Sequence, residues 1–301
     1  MTKTEFIPPT INGVSASKVF LPTCSPLPKS VYEYLCHKFP HIALTEWQQR
    51  FAQGLIFDTT GHILNLESNY IQNSHIFYYR FLPHETHVPF EHKILFENEH
   101  LLVVDKPHFL TMSPTGKYVQ QTLLVRLKKQ TGNDILTPIH RLDRETAGVV
   151  LFSKQACSRA IYQEMFAKRE VKKTYHAIAP YHSDVIFPCN VCLRMQKGEP
   201  FYTMQVVAGT VNSETEIDLL EHNTVWGKYQ LQPITGKQHQ LRVHLNHLRL
   251  PIKNDPFYPV VEHKLENDFS SPLQLLAKYI RFIDPISLNE MSFSSHFDLT
   301  L

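Results

Sequence analysis

The sequence predicts an α+β protein built around a largely antiparallel sheet. Apolar runs of strand length follow one another across turns, most clearly in residues 93–106 and 201–234, and few of them are separated by a helix. Segments with helical periodicity are short and unevenly spaced, whereas a doubly wound fold needs a helix after almost every strand. A length of 301 residues with 43% hydrophobic and 19% charged residues can build a sizeable core, which excludes wholesale disorder.

The N-terminal third predicts a small unit of two helices and a hairpin. Residues 1–27 contain several prolines and no periodicity, so they predict an extended lead-in. Apolar residues recur at helical spacing in residues 28–39, and a second helix is expected after Thr45 as its cap, with Gly54 near its end. The segment 55–64 predicts a hairpin that turns at residues 58–61.

A second and larger domain is predicted to follow. The Pro- and His-rich segment 81–92 is typical of a linker, which divides the chain into an accessory domain with its linker at 1–88 and a second domain at 89–301. The predicted elements of the second domain are two strands within 93–106, a helix at 119–131, a loop and strand at 136–153, a helix at 155–170, strands at 173–180, 201–208, 214–221 and 226–234, and a helix at 238–248.

Composition limits the function classes. Net charge is +2, so the chain is not a protein that coats nucleic acid or membrane through bulk charge. A local excess exists in residues 117–176, with twelve Lys and Arg against five Asp and Glu, and residues 228–253 carry basic residues without an acid. These stretches are either solvated helix faces or a patch that follows phosphates.

Targeting and redox signals point to the cytoplasm. The N-terminus lacks the apolar stretch of a signal peptide, and no apolar run approaches the roughly 20 residues of a membrane span. Five cysteines at uneven spacings do not form a disulfide framework, which favours a reducing compartment. We therefore expect a cytoplasmic protein without membrane contact, and nothing in the sequence indicates an obligate protein partner.

The densest polar cluster is PIHRLDRETAG at residues 138–148, followed directly by the apolar run VVLFSK. Asp143 lies between Arg141 and Arg144, whose charges should keep its carboxylate ionised. An ionised carboxylate in a partly dry pocket can act as a nucleophile or a base. The same pattern also fits an ordinary buried ion pair at the start of a strand.

A second cluster, PITGKQHQLRVH, occupies residues 233–244. Its glycine allows a tight turn, after which a helix can begin and place Gln238, Arg242 and Leu245 on one side. Arg242 would then point inward at a carboxylate. A basic helix on the surface is the alternative interpretation.

In this order and roughly 100 residues apart, the two clusters resemble the RluA family of RNA pseudouridine synthases. The segments LLVVDKP at 101–107, KTYHAI at 173–178 and LLAKYIRFIDP at 275–285 are similar to further segments of that family, so the resemblance covers roughly residues 90–285. It implies a pseudouridine-synthase-like mixed sheet flanked by helices, a catalytic domain at 89–301, and isomerisation of uridine to pseudouridine in structured rRNA or tRNA. Because the reaction exchanges bonds within one nucleotide, it implies no cofactor.

The resemblance also implies roles for individual residues. Asp143 matches the carboxylate required for catalysis, Tyr175 the tyrosine that stacks on the target base, and Arg242 the arginine that pairs with the carboxylate. Arg141 matches the arginine that enters the stack where the flipped nucleotide had been, and His140 would shape its loop. The remaining residues predicted to contact RNA are Arg144, Lys168, Arg169, Lys172, Lys173 and Lys237.

The chain departs from the family pattern in places. Phe109, Asn254 and Pro259 stand where the family usually has glycine, which affects the expected turns and the fit of the substrate. The predicted N-terminal helix–helix–hairpin unit weakly resembles the S4-type RNA-binding module. That module is usually basic and this segment is neutral, so a packing domain that does not bind RNA remains the alternative.

A zinc-binding protein and a non-catalytic RNA-binding protein are the alternative function classes. Cys189 and Cys192 form a single CxxC pair, which supplies only two of the four ligands of a structural zinc site, so no metal is predicted. A non-catalytic RNA-binding or chaperone protein could keep the same fold. However, binding alone does not require Asp143, and the chain has it together with Tyr175 and Arg242.

Overall fold

The computed structural model describes residues 6–80, 82 and 84–301. Residues 1–5 of the predicted lead-in, and residues 81 and 83 of the predicted linker, lie outside the described residues. The chain forms two compact units. One holds the described residues up to Glu85 with Pro114–Gln120 and Lys128–Asp134, and the other holds Thr86–Ser113, Gln121–Leu127 and Ile135–Leu301.

The first unit is a small sheet packed on two helices. In chain order its elements are β1 (Ser17–Leu21), α1 (Val31–Lys38), α2 (Leu44–Ala52), β2 (Ile56–Asp58) and β3 (Ser74–Tyr78). The described strands form one antiparallel sheet in the order β1-β3-β2. Trp47, Leu35 and Ile56 are fully buried between the helices and the sheet. Burial of such large apolar side chains is the main stabilising contribution to a unit of this size.

The two predicted helices are confirmed, but Thr45 is not the cap of the second. Helix α2 begins at Leu44, two residues earlier than a cap at Thr45 would allow, because the carbonyl of Ala43 already accepts from the backbone N–H groups of Glu46 and Trp47. Ala43 takes the capping position in an extended conformation and provides no side-chain hydrogen bond. The prediction of Thr45 as a cap was therefore wrong.

The predicted turn at residues 58–61 is present, but the hairpin is incomplete. The Asp58 carboxylate accepts from the backbone N–H groups of Thr60 and His62, which closes the turn. The returning segment forms only an isolated bridge between Phe57 and Ile63, and the strand that pairs with β2 is β3. Ile63 is 63% exposed, whereas Ile76 of β3 is buried. Strand β2 therefore pairs with β3, which is more distant in the sequence but buries its side chains. The lead-in also contains β1, whose alternating side chains enter the same core.

The second unit contains the remaining elements. They are β4 (Lys93–Glu97), β5 (Leu101–Lys106), α3 (Leu123–Thr131, of which Lys128–Thr131 belong to the first unit), β6 (Thr137–Pro138), β7 (Ala147–Ser153), α4 (Ala156–Ala167), β8 (Lys172–Pro180), β9 (Cys189–Leu193), β10 (Met195–Lys197), β11 (Met204–Val206), β12 (Ser213–His222), β13 (Trp226–Pro233), α5 (Gln240–His247), β14 (Leu275–Ile283) and β15 (Glu290–Ser294).

A mixed and largely antiparallel sheet runs through this unit, as predicted. Its strand order is β4-β5-β7-β14-β8-β13-β12-β9, with β15 beside β14 and β6 beside β7. Among the described strands of this sheet, only β7 and β14 pair in parallel. The strands β9, β10 and β15 were not predicted, because they are short and bury few side chains; in β15 none of the five residues is buried.

Two apolar clusters place the two motif-bearing segments. In the first, Val103 of β5 and Leu151 of β7 pack with Tyr162 of α4. In the second, Leu231 of β13 packs with Leu241 and Leu245 of α5. Helix α4 therefore packs on β5 and on β7, the strand that follows the HRLDR segment. Helix α5 packs on β13. Leu241 and Leu245 fix α5 against the sheet, which also fixes the position of Arg242 next to Leu241.

The central strands bring distant residues into register. Strand β7 begins four residues after Asp143, and Gly148 in it pairs with Ala277 of β14. Ala277 pairs on its other side with Tyr175 of β8. Strand β14 alone therefore lies between β7, which begins just after Asp143, and β8, which carries Tyr175. In the sequence, 32 positions separate the two residues.

Gly148 allows the close approach of β7 to β14. A Cβ atom at this position would lie 2.3 Å from the carbonyl oxygen of Ala277, and φ is +117°. We expect Gly148→Ala to lower the free energy of unfolding by at least about 2 kcal/mol, because both a backbone clash and a strained φ must be relieved. Urea unfolding measures this loss, with Gly236→Ala as the control, since nothing lies within 4 Å of the added Cβ there. Equal stabilities of the two variants would contradict the requirement for glycine.

Candidate active site

Asp143 lies in the loop that leads into β7. Its backbone carbonyl accepts from Thr146 N–H, which closes the loop directly before the strand. Its side chain is 30% exposed, so the carboxylate is partly shielded from water but remains reachable. A carboxylate in this position can face a substrate while protein groups hold its other side.

Lys106, the last residue of β5, anchors this loop through hydrogen bonds. The ammonium group is fully buried and donates to the carbonyl oxygens of Pro107, Leu110 and Arg144, at 2.9, 2.9 and 3.1 Å. Burial lowers the pKa of Lys106 to about 7, while the nearby charges of Glu145 and Asp143 act to raise it. All three N–H bonds of the protonated form have an acceptor. The lysine therefore ties the residue next to Asp143 to the end of β5.

The first turn of α5 is organised by Gln240. Its side-chain oxygen accepts from the Thr235 hydroxyl at 2.6 Å and from Lys237 N–H at 3.0 Å. Its amide nitrogen donates to the carbonyl oxygen of Glu214 at 2.9 Å. These bonds join the TGK turn to β12 and fix where the helix begins. Gln238 precedes the helix, so the prediction that it shares a helical face with Arg242 was wrong.

Arg242 joins two carboxylates. Its Nη1 lies 3.2 Å from Asp143 Oδ2, and its Nε and Nη2 donate to the two carboxylate oxygens of Asp255 at 2.9 and 2.6 Å. The guanidinium is 1% exposed and the Asp255 carboxylate 0% exposed. The sequence placed Arg242 opposite a carboxylate, and the structure shows that Asp143 is one of the two it contacts. A bidentate pair of this geometry is among the strongest hydrogen-bonded ion pairs in proteins.

The charge of Arg242 is secured by its neighbours. Burial alone lowers the pKa of the guanidinium, but the hydrogen bonds and charge of Asp255, with the charge of Asp143, raise it by more. The guanidinium also lies over the rings of Phe257 and Tyr258, with centroid distances of 4.8 and 5.3 Å. A permanent positive charge therefore faces Asp143 in an environment that water does not screen well.

His239 is a second neighbour of Asp143. Its Nε2 lies 3.8 Å from Asp143 Oδ2, and its Nδ1 lies 2.9 Å from the hydroxyl of Tyr258. Because that hydroxyl accepts from Met204 N–H at 2.8 Å, its own proton is available to Nδ1. When the hydroxyl donates to Nδ1, the neutral ring carries its proton on Nε2, facing the carboxylate. Burial lowers the pKa of His239, which favours this neutral form even though Asp143 acts in the opposite direction.

Tyr175 lies on β8, which β14 separates from β7. Burial raises the pKa of its phenol, and the negative charge of Asp143 raises it further, so the hydroxyl stays protonated. Tyr175 pairs with Ala277 of β14, which pairs on its other side with Gly148, five residues after Asp143. The structure thus brings Asp143, Tyr175 and Arg242 into one region.

The residues that flank Asp143 differ in their surroundings. Arg141 is exposed, whereas Arg144 is held at 3.2 Å by Glu145 and lies over the ring of Phe109 at 5.7 Å. His140 stacks on Phe166 at 4.6 Å, and its Nε2 accepts from the backbone N–H of Leu151. His140 is thus placed to hold the loop, and Arg141 is free to reach a ligand.

The other predicted RNA contacts lie around the start of β8 and before α5. Arg169, Lys172 and Lys237 are exposed. Lys168 is also exposed, but it pairs with Glu164 at 2.8 Å. Lys173 is half-buried, and burial together with Arg169 lowers its pKa.

Sequence reasoning missed three residues of this site: Asp255, His239 and Lys106. Asp255 lies 13 positions beyond Arg242 in a turn whose usual glycines are replaced, which obscured its role. His239 lies in the second cluster, but nothing in the local pattern indicates its contact with Asp143. Cys189 and Cys192 are both unpaired, and no three His, Cys, Asp or Glu side chains within the described residues are grouped as metal ligands.

His140 should make the fold sensitive to acid. Burial lowers the pKa of His140 to about 3, whereas an unfolded histidine has a pKa of about 6.5. Between these values the unfolded chain binds a proton that the folded chain does not, so stability falls as the pH falls below about 6.5. We expect His140→Gln to make this loss shallower by about 1.4 kcal/mol per pH unit. Urea unfolding from pH 7 to pH 4 measures it, with exposed His182→Gln as the control. Equal slopes in the two variants would contradict the assignment.

Comparisons of this chain with known proteins identify its family. Residues 100–247 match the family model described as RNA pseudouridylate synthase. The tRNA pseudouridine synthase C of Vibrio cholerae is 30% identical over 210 residues, which cover 64% of this chain and 86% of the relative. This chain belongs to the RluA-type RNA pseudouridylate synthases. The resemblance found in the motifs is therefore confirmed.

Other relatives of this pseudouridylate synthase extend the comparison. The human pseudouridylate synthase RPUSD2 is 32% identical over 178 residues, but these cover 55% of this chain and only 30% of the human protein. The solved structure of human RNA pseudouridylate synthase domain containing 1 has a TM-score of 0.57 at 22% identity, covering 70% of this chain and 86% of that one. This likeness confirms the pseudouridine-synthase-like fold. Within the part of the chain that the structure describes, no helix has the length and apolar character needed to cross a membrane.

Proposed function

We propose that this pseudouridylate synthase converts uridine to pseudouridine at selected positions of a structured tRNA, with Asp143 as the catalytic carboxylate. The observation that carries the proposal is the contact of a partly exposed Asp143 with an almost fully buried Arg242, which Asp255 holds in place. A carboxylate that only stabilises the fold would not need an open side.

The roles follow from the bonds that change. The N1–C1′ bond of uridine breaks, the base turns, and a C5–C1′ bond forms. C5 then loses its proton and N1 gains one, so no atom is gained or lost overall. Asp143 acts at the target nucleotide, either as a nucleophile or by assisting loss of the base. Arg242 orients the carboxylate and places a positive charge 3.2 Å from it. The neutral phenol of Tyr175 offers an aromatic face for the flipped base, and stacking of this kind stabilises by about 1–3 kcal/mol.

Arg141 has a different role in the proposal. Flipping a nucleotide costs a few kcal/mol, because its neighbours lose a stacking partner. An exposed arginine two residues before Asp143 can enter the space that the nucleotide leaves. Arg144 is more restricted by Glu145 and Phe109, so it supports the loop as well as the phosphate contacts.

The choice of tRNA rests on relatives whose names state that they act on tRNA, such as the Vibrio cholerae protein. The test is to map pseudouridines in the RNA of cells that lack this protein, with rescue by the wild type or by Asp143→Asn. A tRNA position that is lost on deletion and restored only by the wild type supports the proposal. A lost position in rRNA would correct the substrate. Rescue of a growth defect by Asp143→Asn, with no position lost, would favour a non-catalytic RNA-binding or chaperone function.

The exposed basic residues around the start of β8 should set the dependence of RNA affinity on salt. We expect Lys172→Gln to reduce the slope of log K against log salt concentration by about 0.7–0.9, as for one lost phosphate contact. Lys168→Gln is the matched control and should change the slope less, because Glu164 already neutralises Lys168 at 2.8 Å. Filter-binding titrations across a salt series measure both. An unchanged slope for Lys172→Gln would remove this segment from the RNA interface.

We also propose that the enzyme works in the cytoplasm and that residues 1–88 form an accessory domain. All five cysteines are unpaired in the structure, which suits a reducing compartment. A fluorescent fusion that accumulates in an organelle would contradict the location. Deletion of residues 1–88 should leave the catalytic cluster intact, since Asp143, Arg242 and Asp255 all lie in the second unit.

A further inference from the structure

The loop between β10 and β11 carries an unusually exposed aromatic side chain. Phe201 is 78% exposed, and its polar neighbours Lys197 and Glu199 are exposed as well. A single exposed apolar residue is common on proteins and by itself indicates nothing. Phe201 is distinguished by how firmly its loop is held and by what lies behind it.

The loop is held by hydrogen bonds inside it and to the site. Within it, Gly198 N–H donates to the carbonyl oxygen of Thr203 at 3.0 Å, and the Thr203 hydroxyl donates to that of Pro200 at 2.8 Å. Gln238, directly before His239, donates from its side chain to the carbonyl oxygen of Tyr202 at 3.2 Å. The Tyr258 hydroxyl, which contacts His239, accepts from the backbone N–H of Met204. The exposed ring is therefore presented by a loop tied to the first turn of α5.

A series of rings connects Phe201 with the catalytic carboxylate. The ring centroids of Phe201 and Tyr202 are 5.5 Å apart, those of Tyr202 and Phe257 5.3 Å, and those of Phe257 and His239 5.5 Å. His239 in turn lies 3.8 Å from Asp143. Arg242 already lies over Phe257, and Tyr202 is half-buried. Phe201 is therefore the ring in this series with the most open face.

We propose that Phe201 is a stacking platform for the base of an unpaired nucleotide adjacent to the target uridine. This inference rests on the proposed function and adds an RNA contact that helps to determine which uridine is chosen. A nucleotide flanking a flipped base loses a stacking partner, and an aromatic side chain replaces it for any base, since each base has a π-face. Lys237, exposed and next to Gln238, can contact the phosphate of the same nucleotide.

The surroundings of Phe201 favour one base over a protein surface. Protein partners dock on contiguous apolar patches of several hundred Å². Phe201 presents one exposed ring in a loop that also exposes the charged side chains of Lys197 and Glu199, as expected for a site that takes one flat aromatic group with a charged backbone. Sequence-specific RNA recognition commonly uses unpaired bases stacked on such rings.

The experiment compares Phe201→Ala, Phe201→Trp and Ile186→Ala in the full-length chain. Ile186 is 83% exposed and serves as the control for loss of an exposed apolar side chain in the same unit. The probe is an RNA hairpin with an all-uridine loop, in which one loop position at a time is made abasic. We expect Phe201→Ala to weaken binding by about 5- to 150-fold. Phe201→Trp should restore it, and Ile186→Ala should bind as the wild type does.

The abasic series identifies the contact. At one loop position, removal of the base should weaken binding of the wild type by a similar factor and have little further effect on Phe201→Ala, because the same contact is already lost. Additive effects at every position, or wild-type affinity of Phe201→Ala, would overturn the proposal. Circular dichroism checks that each variant is folded.

Isomerisation of unmodified tRNA transcripts separates this inference from the proposed function. If the wild type and Phe201→Ala are equally active and bind equally well, the platform is wrong and the function stands. If the wild type isomerises no RNA but the abasic series still shows the Phe201 contact, the platform stands and the function is wrong.

Discussion

Asp143→Asn is expected to reduce the rate of uridine isomerisation by at least about 10³-fold while leaving RNA affinity near that of the wild type. Asparagine has the same shape but cannot act as an ionised carboxylate, so an interaction made in the transition state is lost. The contacts proposed for binding, at Arg141, Tyr175 and the basic segment around the start of β8, are unchanged. Single-turnover kinetics together with equilibrium binding measures the two effects separately.

The substitution should leave the fold intact for a specific reason. Arg242 keeps its two hydrogen bonds to Asp255, so no buried charge is left without a partner when Asp143 becomes neutral. Because Asp143 is 30% exposed, we expect its removal to change the free energy of unfolding by only about 0.5 kcal/mol. A large loss of activity with unchanged unfolding can therefore be assigned to chemistry.

Glu145→Gln provides the matched control. Glu145 is the next carboxylate along the chain and pairs with Arg144 at 3.2 Å, so it shares the loop but does not contact Arg242 in the structure. We expect this variant to keep most of its turnover. Near-normal turnover of Asp143→Asn, or loss of turnover in Glu145→Gln alone, would show that the catalytic carboxylate has been assigned to the wrong residue.

Arg242→Met is expected to lower the free energy of unfolding by about 3–5 kcal/mol. The substitution leaves the fully buried Asp255 carboxylate with only the backbone N–H groups of Phe257 and Tyr258 as partners. An unpaired buried charge costs more than the net contribution of the pair itself. Urea unfolding at pH 7 measures the loss.

The double variant Arg242→Met with Asp255→Asn separates stability from catalysis. Asparagine can still accept from the two backbone N–H groups but carries no charge, so most of the lost stability should return. Activity should remain low, because Asp143 still lacks its cationic partner. A loss below about 1 kcal/mol in the single variant would contradict a structural role of the buried pair. Recovery of activity in the double variant would contradict the role of Arg242 at the carboxylate.

The sequence by itself determined the elements and the main chemical groups. Local periodicity predicted α1, α4 and α5 and most strands of the large sheet, because an amphipathic pattern depends only on residues that are close together in the sequence. The motifs around Asp143 and Arg242 identified the family and predicted which carboxylate is catalytic.

Only the tertiary structure decided which distant groups meet. The pairing of β2 with β3 depended on which strand could bury its side chains, and Thr45 lost its predicted capping role to the backbone of Ala43. Asp255 as a partner of Arg242, and His239 as a neighbour of Asp143, became evident only once α5 and the following turn were placed beside the entrance to β7. Hydrogen bonds and ion pairs depend on distances of a few ångströms between residues up to 99 positions apart, which no local pattern specifies.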